Sequence, residues 1–266
     1  MKLCRFELKA KPGEARSGMV YSGKIYETDG ANPVAVHEAD AIRPLAPIPH
    51  APSLRFFRGD RQPDPTDGLD TQEPAFFYGN PMCLVGASQI VNYPEVVSSL
   101  GFEPFVAAVL VGDAYQIGVE DADDLILGIT LLNVLVARDR ERVEFGCGGI
   151  GSAYDVGAAI GPVLTTPDDL EEHVIDAEFG KRYALSTVVR INGVEQQRGN
   201  LQDLPFTFAQ AISSASQTCT LRAGDVIAIG PVVDPTLEPL LLDPGDELQL
   251  AIENLGAISL KLSLLQ

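Results

Sequence analysis

Apolar residues along this chain fall mostly in short runs that end at glycine, proline, asparagine or aspartate, which is typical of β-strands. The clearest run is Phe105–Val111, which is followed by Gly112-Asp113 and predicts a strand buried on both faces. Strands are predicted on the same grounds for five further segments: Leu3–Leu8, Met19–Tyr26, Tyr183–Ile191, Val226–Ile229 and Glu247–Ile252. Many strands and few helices indicate a mixed, β-rich α+β fold.

Two further segments are candidates for α-helices. Leu125–Ala137 follows the acidic Asp121–Asp124, which suits a helix N-terminus, but its β-branched content leaves helix or strand open. Asp203–Gln217 has the pattern of a helix. Turns are predicted at Lys11-Pro12-Gly13 and at Asn192-Gly193, because both contain residues that favour chain reversal.

Composition divides the chain into three predicted parts. Residues 1–45 form a small N-terminal β unit, residues 46–74 a Pro/Asp-rich linker, and residues 75–266 the main domain. The whole stretch from Arg43 to Pro74 has so much proline and so little apolar content that it is predicted to be a linker or an irregular loop.

The sequence is strongly acidic, with 19 basic and 37 acidic residues and a formal net charge of −18. Such a field repels phosphate backbones and anionic lipid surfaces, so we expect no nucleic-acid partner and no binding to membranes. No segment has the length and apolar character of a signal peptide or a membrane span, which favours a soluble, cytoplasmic protein. The four cysteines include no CxxC pair and are predicted to be small buried side chains.

Four segments carry glycine, proline and polar residues in a particular order: Pro74–Pro94, Gly128–Asp139, Gly161–Asp168 and Ile191–Gly230. In this order they resemble the strand and turn motifs of the fumarylacetoacetate hydrolase family. The resemblance covers residues 75–266, and the opening MKLCRF is similar to the small N-terminal unit of many bacterial members. It implies a β-sandwich or rolled-sheet core with a few short helices, and either a homodimer or a heterodimer with a paralogue.

The resemblance also implies metal-assisted chemistry, in which Mg²⁺ or Mn²⁺ polarises a 1,3-dicarbonyl or 2-oxo acid before hydrolysis, decarboxylation or isomerisation. A hard cation of this kind needs oxygen ligands. Counted from Gly112, the family's three carboxylate ligands fall at Pro104, Val106 and Val134, which have no side-chain oxygen. A slip of one or two residues would bring Glu103 near the first ligand position, still leaving one carboxylate where three are expected. We therefore expect no metal cofactor.

Other positions also lack the functional residues of the family. Two family lysines fall at Gly79, next to Tyr78, and at Ser152. The family's His–Glu pair has no counterpart around Phe56-Phe-Arg-Gly-Asp60. Arg138, which matches an arginine that often contacts substrate in the family, is retained.

The catalytic candidates are Arg138, Glu141 and Glu103. Arg138 has a guanidinium fork that suits a carboxylate, and a structural ion pair with Asp139 or Glu141 is the equally good alternative. For Glu103 the alternative to a relict ligand is an exposed charge at a strand edge. The substrate-binding candidates, which the resemblance places around the pocket, are Arg138, Tyr78, Asn133, Ser152 and Asp155. The glycine-rich segment Gly146–Gly151 is interpreted as a flexible lid.

Two functions remain open from the sequence. The leading hypothesis is a divergent member of this family that has lost the carboxylate metal site and is non-catalytic or repurposed, binding a small oxo acid or serving as a structural dimer subunit. The alternative is an active enzyme on a 2-oxo or 1,3-dicarbonyl acid that works without metal. In that case Arg138 orients the substrate, and Tyr78, Glu103 or Glu141 handles protons.

Overall fold

The computed structural model describes residues 1–30, 32–59, 74–147, 149, 151–234, 237 and 239–264. Strands dominate these residues, as the apolar runs predict. The α-helices of the described residues are three short segments: Val119–Ala122 (α1), Arg138–Gly146 (α2) and Phe208–Ser216 (α3). The predicted mixed, β-rich fold is therefore confirmed.

Twenty strands are formed by the described residues. In chain order they are Lys2–Leu8 (β1), Lys11–Tyr21 (β2), Lys24–Asp29 (β3), Asn32–Glu38 (β4), Ile42–Leu45 (β5), Leu54–Arg58 (β6), Phe76–Gly79 (β7), Leu84–Gly86 (β8), Ser88–Tyr93 (β9), Leu100–Leu110 (β10), Ile126–Ala137 (β11), Gly157–Thr165 (β12), Val174–Asp176 (β13), Arg182–Tyr183 (β14), Ser186–Ile191 (β15), Val194–Asn200 (β16), Val226–Gly230 (β17), Leu241–Leu242 (β18), Glu247–Ile252 (β19) and Gly256–Leu264 (β20).

Thirteen of these strands form one large sheet, in which ten follow the order β4-β3-β2-β1-β12-β11-β10-β17-β6-β7. A second sheet has five strands in the order β16-β15-β19-β20-β9. The N-terminal strands join the large sheet because β1 pairs with β12, with Cys4 opposite Val163. The N-terminal β unit is thus continuous with the sheet of the main domain.

The long antiparallel pair β10 and β11 lies at the centre of the large sheet and separates two apolar cores. Side chains alternate between the faces of a strand, so Val106 and Leu131 face the second sheet. Phe105 and Val134 face the opposite core. Both strands are apolar on both faces, which explains why their sequences read as continuous apolar runs.

The N-terminal hairpin corrects two predictions. Met19–Tyr26 is not one strand, because Ser22 and Gly23 adopt left-handed backbone angles, with φ of 50° and 77°, and form a tight turn between β2 and β3. The turn predicted at Lys11-Pro12-Gly13 lies earlier, since Leu8 already pairs with Lys11.

The predicted linker is also wrong over part of its length. Strand β6 lies inside it, pairs with β17 in parallel and buries Leu54, Phe56 and Phe57. Local proline content hides this strand, whose stability comes from its neighbours in the sheet rather than from its own sequence. The rest of that prediction includes residues 60–73, which lie outside the described residues.

Other predictions are resolved by the structure. The segment left open between helix and strand is strand β11, after a short turn of helix at α1. The helix predicted from Asp203 begins only at Phe208, where Thr207 and Gln210 form a capping box. The strand predicted over Tyr183–Ile191 is split into β14 and β15, whereas the turn at Asn192-Gly193 and strand β19 are confirmed.

The cysteines are less buried than predicted. Cys147 is exposed, and the other three are partly buried without disulfide partners. Among the described residues, no helix is both long enough and apolar enough to cross a bilayer.

Candidate functional site

Five polar side chains converge where β6, β10 and β11 approach helix α2. Arg58 lies with Nη1 at 2.7 Å from Oε1 of Glu103 and 2.7 Å from the hydroxyl of Tyr154. Arg138 lies with Nη1 at 2.8 Å from both Glu103 and Glu141. The hydroxyl of Tyr154 donates to Oε2 of Glu103 at 3.0 Å. We call this group the arginine–glutamate cluster: Arg58, Glu103, Arg138, Glu141 and Tyr154.

Local chain geometry brings the cluster together. Arg138 is the first residue of α2, and its backbone N–H donates to Ser99 O at 2.8 Å. Glu141 follows one helical turn later and therefore lies on the same helix face. Gly101 allows the Arg138 side chain to cross β10, because a Cβ atom at that position would lie 2.7 Å from Nε of Arg138. A side chain at this strand position would force Arg138 to shift from its present path to Glu103.

The cluster is almost removed from solvent. Glu103 retains 3% of its accessible surface and Tyr154 the same fraction. Burial would lower the pKa of the Arg138 guanidinium, but the charges of Glu103 and Glu141 raise it above its ordinary value. Burial, together with the neighbouring Glu103 carboxylate, raises the pKa of Tyr154. The phenol therefore stays protonated at neutral pH and acts as a hydrogen-bond donor.

Aromatic rings close the space beside the cluster. The Phe56 ring lies 5.0 Å from Phe105 and 5.3 Å from Phe77, measured between ring centroids. Phe77 and Tyr154 are 5.1 Å apart in an edge-to-face arrangement. Such pairs add stability beyond their buried area, by about 0.5–1.5 kcal/mol each. The interior next to Glu103 is thus filled by rings rather than by polar ligands.

Gly79, the position of one family lysine, is explained by this packing. A Cβ atom at Gly79 would overlap the Phe56 ring and approach Leu54 to 3.1 Å. No larger side chain fits unless Phe56 moves out of the aromatic cluster. Glycine at position 79 and the buried ring of Phe56 therefore depend on each other.

The pairing of β10 with β11 determines which side chains lie on the same face of the large sheet as Glu103. Glu103 pairs directly with Val134, and Phe105 is the next residue on the same face of β10. Pro104 and Val106 point to the other face, so they do not converge with Val134. Of the three positions predicted for the family's ligands, only Val134 lies on the face that carries Glu103. The three positions that do converge are occupied by one glutamate, one phenylalanine and one valine.

These residues do not fit a hard divalent cation. Phe105 and Val134 offer no oxygen, and both oxygens of Glu103 already accept hydrogen bonds from Arg58, Arg138 and Tyr154. Within the described residues, no three His, Cys, Asp or Glu side chains come together in a group able to hold a metal ion. A positive charge is nonetheless present at this place, in the form of two guanidinium groups.

The structure places the other predicted site residues apart from the cluster. Tyr78 lies on the opposite face of β7, more than half exposed, with the Arg55 guanidinium 5.2 Å from its ring centroid. Asn133 faces the other core, and neither polar atom of its side chain has a hydrogen-bond partner among the residues described. Asp155 is exposed, whereas its neighbour Tyr154 points inward.

Ser152 lies near the cluster but has a different partner. The carboxylate of Glu144 accepts bonds from the Ser152 hydroxyl at 2.6 Å and from the backbone N–H groups of Gly151, Ser152 and Ala153. These bonds, the Ser152 hydroxyl first, lower the pKa of Glu144. The turn that carries Tyr154 is thereby fastened to helix α2. The predicted lid over Gly146–Gly151 includes residues 148 and 150, which lie outside the described residues.

Sequence reasoning missed two members of the cluster. Arg58 is the last residue of the run Phe56-Phe57-Arg58. In a strand, Arg58 lies on the same face as Phe56, so a buried Phe56 indicates that the Arg58 side chain also points into the protein. That signal depends on recognising β6, which the surrounding prolines conceal. Tyr154 is not among the predicted residues, although its neighbour Asp155 is, and the choice between the two depends on the backbone direction of the short turn at Ser152–Tyr154.

A cleft of about 400 Å³ opens beside the ends of β6 and β17, next to the residue that follows Arg58. Much of its wall consists of glycine, proline and apolar side chains. Its principal lining residues are Gly59, Asn200, Asp203, Pro205, Val232 and Asp234. A volume of this size accommodates a small organic ligand.

Comparison with known proteins agrees with the motif analysis. The family described as fumarylacetoacetate (FAA) hydrolase C-terminal matches residues 52–263 of the chain. Oxaloacetate tautomerase YisK of Bacillus subtilis is 31% identical over 195 residues, which is 71% of this chain and 60% of that protein. The match thus spans less than two thirds of the length of this relative.

Solved structures show the same fold. A fumarylacetoacetate hydrolase from the psychrophile Exiguobacterium antarcticum superposes with a TM-score of 0.78 at 23% identity, covering 100% of both chains. Maleylpyruvate hydrolase of Sphingobium sp. SYK-6, solved with manganese(II) and pyruvate, gives a TM-score of 0.74 at 21% identity and covers 100% of both chains. Sequence match and fold together assign the chain to the fumarylacetoacetate hydrolase family.

Proposed function

We propose that this chain is a metal-independent member of its family that binds a small molecule or serves as a structural subunit, without metal-assisted catalysis. The observation that supports the proposal is the arginine–glutamate cluster. Glu103 shares its face of the large sheet with Phe105 of β10 and Val134 of β11, and its carboxylate is held by two guanidinium groups. A cation site and this network exclude each other at the same carboxylate.

Charge balance supports the same conclusion. The cluster contains two arginines and two glutamates, so its ionised side chains sum to zero. Adding a divalent cation would place two further positive charges beside buried guanidinium groups, which is costly in a low-dielectric interior. Displacing Arg58 and Arg138 from Glu103 would instead cost both guanidinium groups their contact with this carboxylate. The network is therefore stable as an arrangement without metal.

The proton chemistry of the cluster also favours a non-catalytic role. A general acid or base is most effective when its pKa lies near the working pH. Burial and Glu103 raise the pKa of Tyr154 well away from neutrality, so its hydroxyl retains its proton. Glu103 and Glu141 are each paired with an arginine, which holds both carboxylates in the network.

Metal binding gives the direct test. After exhaustive dialysis against Mn²⁺ or Mg²⁺ and removal of free ions, we expect no stoichiometric metal in the protein by elemental analysis. Titration calorimetry with Mn²⁺ should likewise show no site with a dissociation constant in the micromolar range. The physical reason is the shortage of free oxygen ligands on the face that carries Glu103.

The Sphingobium maleylpyruvate hydrolase, whose structure contains manganese(II), is a suitable positive control under the same conditions. One equivalent of Mn²⁺ bound to this chain with micromolar affinity would refute the proposal. Loss of that binding in Glu103→Gln would then locate the ion in the cluster.

A second candidate function is keto–enol tautomerisation of a small oxo acid. It is favoured by the 31% identity with oxaloacetate tautomerase YisK over a region that includes most of this chain. Tautomerisation moves one proton between carbon and oxygen and breaks no carbon–carbon bond, so it demands less of a site than hydrolysis does. Arg138 would orient the substrate carboxylate in such a reaction.

An ultraviolet assay on freshly dissolved enol-oxaloacetate separates the two candidates. Under the leading proposal, we expect the enol signal to decay at the buffer rate with or without the protein. Acceleration that is proportional to protein concentration and lost in Arg138→Ala would instead establish the tautomerase. Arg222→Ala is the matched control, since Arg222 is an exposed arginine paired with Asp113, away from both the cluster and the cleft.

A further inference from the structure

A second cleft, of about 510 Å³, lies on the N-terminal strands and shares no lining residue with the arginine–glutamate cluster. We call it the N-terminal cleft. Strands β1, β2 and β3 form its floor, and its walls come from the segment after β5 and the start of β11, at Pro47, Ile48 and Leu127. A cleft of this volume accommodates a small-molecule ligand.

An apolar row of side chains crosses the floor of the N-terminal cleft. Leu3 pairs with Leu164 on one side and with Met19 on the other, and directly paired residues place their side chains on the same face of a sheet. Leu164 is buried, whereas Leu3 and Met19 are only partly covered. Leu3 and Leu127 also pack against one of the two apolar cores. The cleft is therefore an uncovered margin of that core, which an apolar ligand would extend.

A polar row runs beside the apolar row. Ser17 pairs with Arg5 on one side and with Thr28 on the other. Arg5 lies two residues after Leu3 in β1, so both rows occupy the same face of the sheet. Neither the Ser17 nor the Thr28 hydroxyl has a hydrogen-bond partner among the described residues. Two hydroxyl donors and one guanidinium thus lie side by side along one edge of the apolar floor.

Arg5 has the only charged side chain among the described residues that line the cleft. Its Nη1 donates to the Ala46 carbonyl at 3.0 Å, and the guanidinium makes no other hydrogen bond or ion pair within the described part of the chain. Glu7, the acidic residue of the same strand, is already paired with Arg43 at 2.7 Å. In a chain with 37 acidic residues, an arginine without a carboxylate partner indicates an external anion.

The Nε–Nη2 edge of Arg5 favours a carboxylate over a phosphate. Two parallel N–H bonds from this edge match the two oxygens of a carboxylate. A single negative charge also balances the single charge of Arg5, whereas a phosphate monoester carries almost two charges at neutral pH and would add to a net charge of −18. The apolar row, in turn, requires an alkyl chain rather than a short polar acid.

We infer that the N-terminal cleft binds a medium-chain fatty acid, with its carboxylate on the polar row and its alkyl chain on the apolar row. The net charge of the protein repels anionic bilayers, so the ligand is a free molecule rather than a membrane lipid. This site and its ligand are independent of the arginine–glutamate cluster, so neither proposal depends on the other.

Decanoate is the probe, titrated below its critical micelle concentration and followed by calorimetry. We expect one equivalent to bind with a dissociation constant in the micromolar range, and the affinity to fall about fourfold for each methylene removed towards octanoate. Decanol lacks the charge and decyltrimethylammonium reverses it, so both should bind at least about tenfold more weakly. Pyruvate, which has a carboxylate but no alkyl chain, should not displace decanoate.

Two variants locate the ligand. Arg5→Met should weaken decanoate binding by about tenfold or more, because it removes the charge-assisted bonds to the carboxylate. Arg222→Met is its matched control, since it removes the same charge from an exposed pair with Asp113. Ser17→Tyr places a ring in the cleft at an exposed strand position and should abolish binding with Arg5 intact. Ser88→Tyr, at an exposed position of β9 in the second sheet, should leave the affinity unchanged.

Unchanged decanoate affinity in either Arg5→Met or Ser17→Tyr, with folding checked by circular dichroism, overturns the inference. Equal affinity for decanoate and decanol also overturns it, because the contact would then be apolar only, and so does the absence of decanoate binding. The metal test has a separate readout: stoichiometric Mn²⁺ binding would remove the proposal for the cluster and leave the fatty-acid site untouched.

Discussion

Glu103→Gln is expected to lower the free energy of unfolding by about 3 kcal/mol or more, since breaking a buried ion pair leaves charge uncompensated in the interior. Glu103 neutralises two guanidinium groups and accepts the Tyr154 hydrogen bond. Glutamine retains the shape and removes the charge. Chemical denaturation followed by circular dichroism measures the change, and the Tm should fall by about 6–12 °C for a chain of this size.

Glu195→Gln is the matched control, because it removes the same charge from a pair with the exposed Arg198. Its effect should stay below about 1 kcal/mol. If Glu103→Gln also changes the stability by less than that, the cluster is not a neutralised buried network, and the argument from charge balance fails with it.

Asp225→Asn is expected to have an effect of similar size, about 3–5 kcal/mol of destabilisation, at a second buried pair. Asp225 retains 2% of its surface and Arg55 4%. The carboxylate accepts bonds from Arg55 at 3.1 Å, from the Ser53 hydroxyl at 2.7 Å and from the Arg222 backbone at 2.9 Å. An amide at this position cannot accept all of them and carries no charge to offset Arg55.

Asp113→Asn offers a comparison within the same region of the fold. Asp113 pairs with the side chain of Arg222, but the two side chains are 52% and 61% exposed. Solvent screens such a pair, so the loss should be below about 1 kcal/mol. If both substitutions lower the free energy of unfolding by the same amount in urea denaturation, the contribution of the Arg55–Asp225 pair to stability does not come from its burial.

Much of the fold is predictable from the sequence wherever apolar runs are long or turns are specific. Strand β10, strand β19 and the turn at Asn192-Gly193 belong to this class, because their local signals agree with their surroundings in the sheets. Strand β6 is different. It is short, lies among prolines, and is defined by pairing with β17, which is distant in sequence.

The candidate site was predictable only in part, because the sequence does not show which face of a strand a side chain occupies. Glu103, Arg138 and Glu141, the three predicted catalytic candidates, lie together in the structure. Tyr78 and Asn133 are predicted to lie with them, but the alternation of side chains along β7 and β11 sends both to the opposite face of the sheet. One residue of register decides such an outcome, and single-sequence patterns do not fix register to one residue.

The overlap between a side chain at Gly79 and the ring of Phe56 has a consequence for any redesign of this site. A lysine introduced at position 79 would meet the ring. A carboxylate introduced at position 105 would remove the ring's stacking partner and place a second acidic group on the face that carries Glu103. An ion site built here would therefore require changes at several positions at once, since each single substitution first disturbs the packing of the interior.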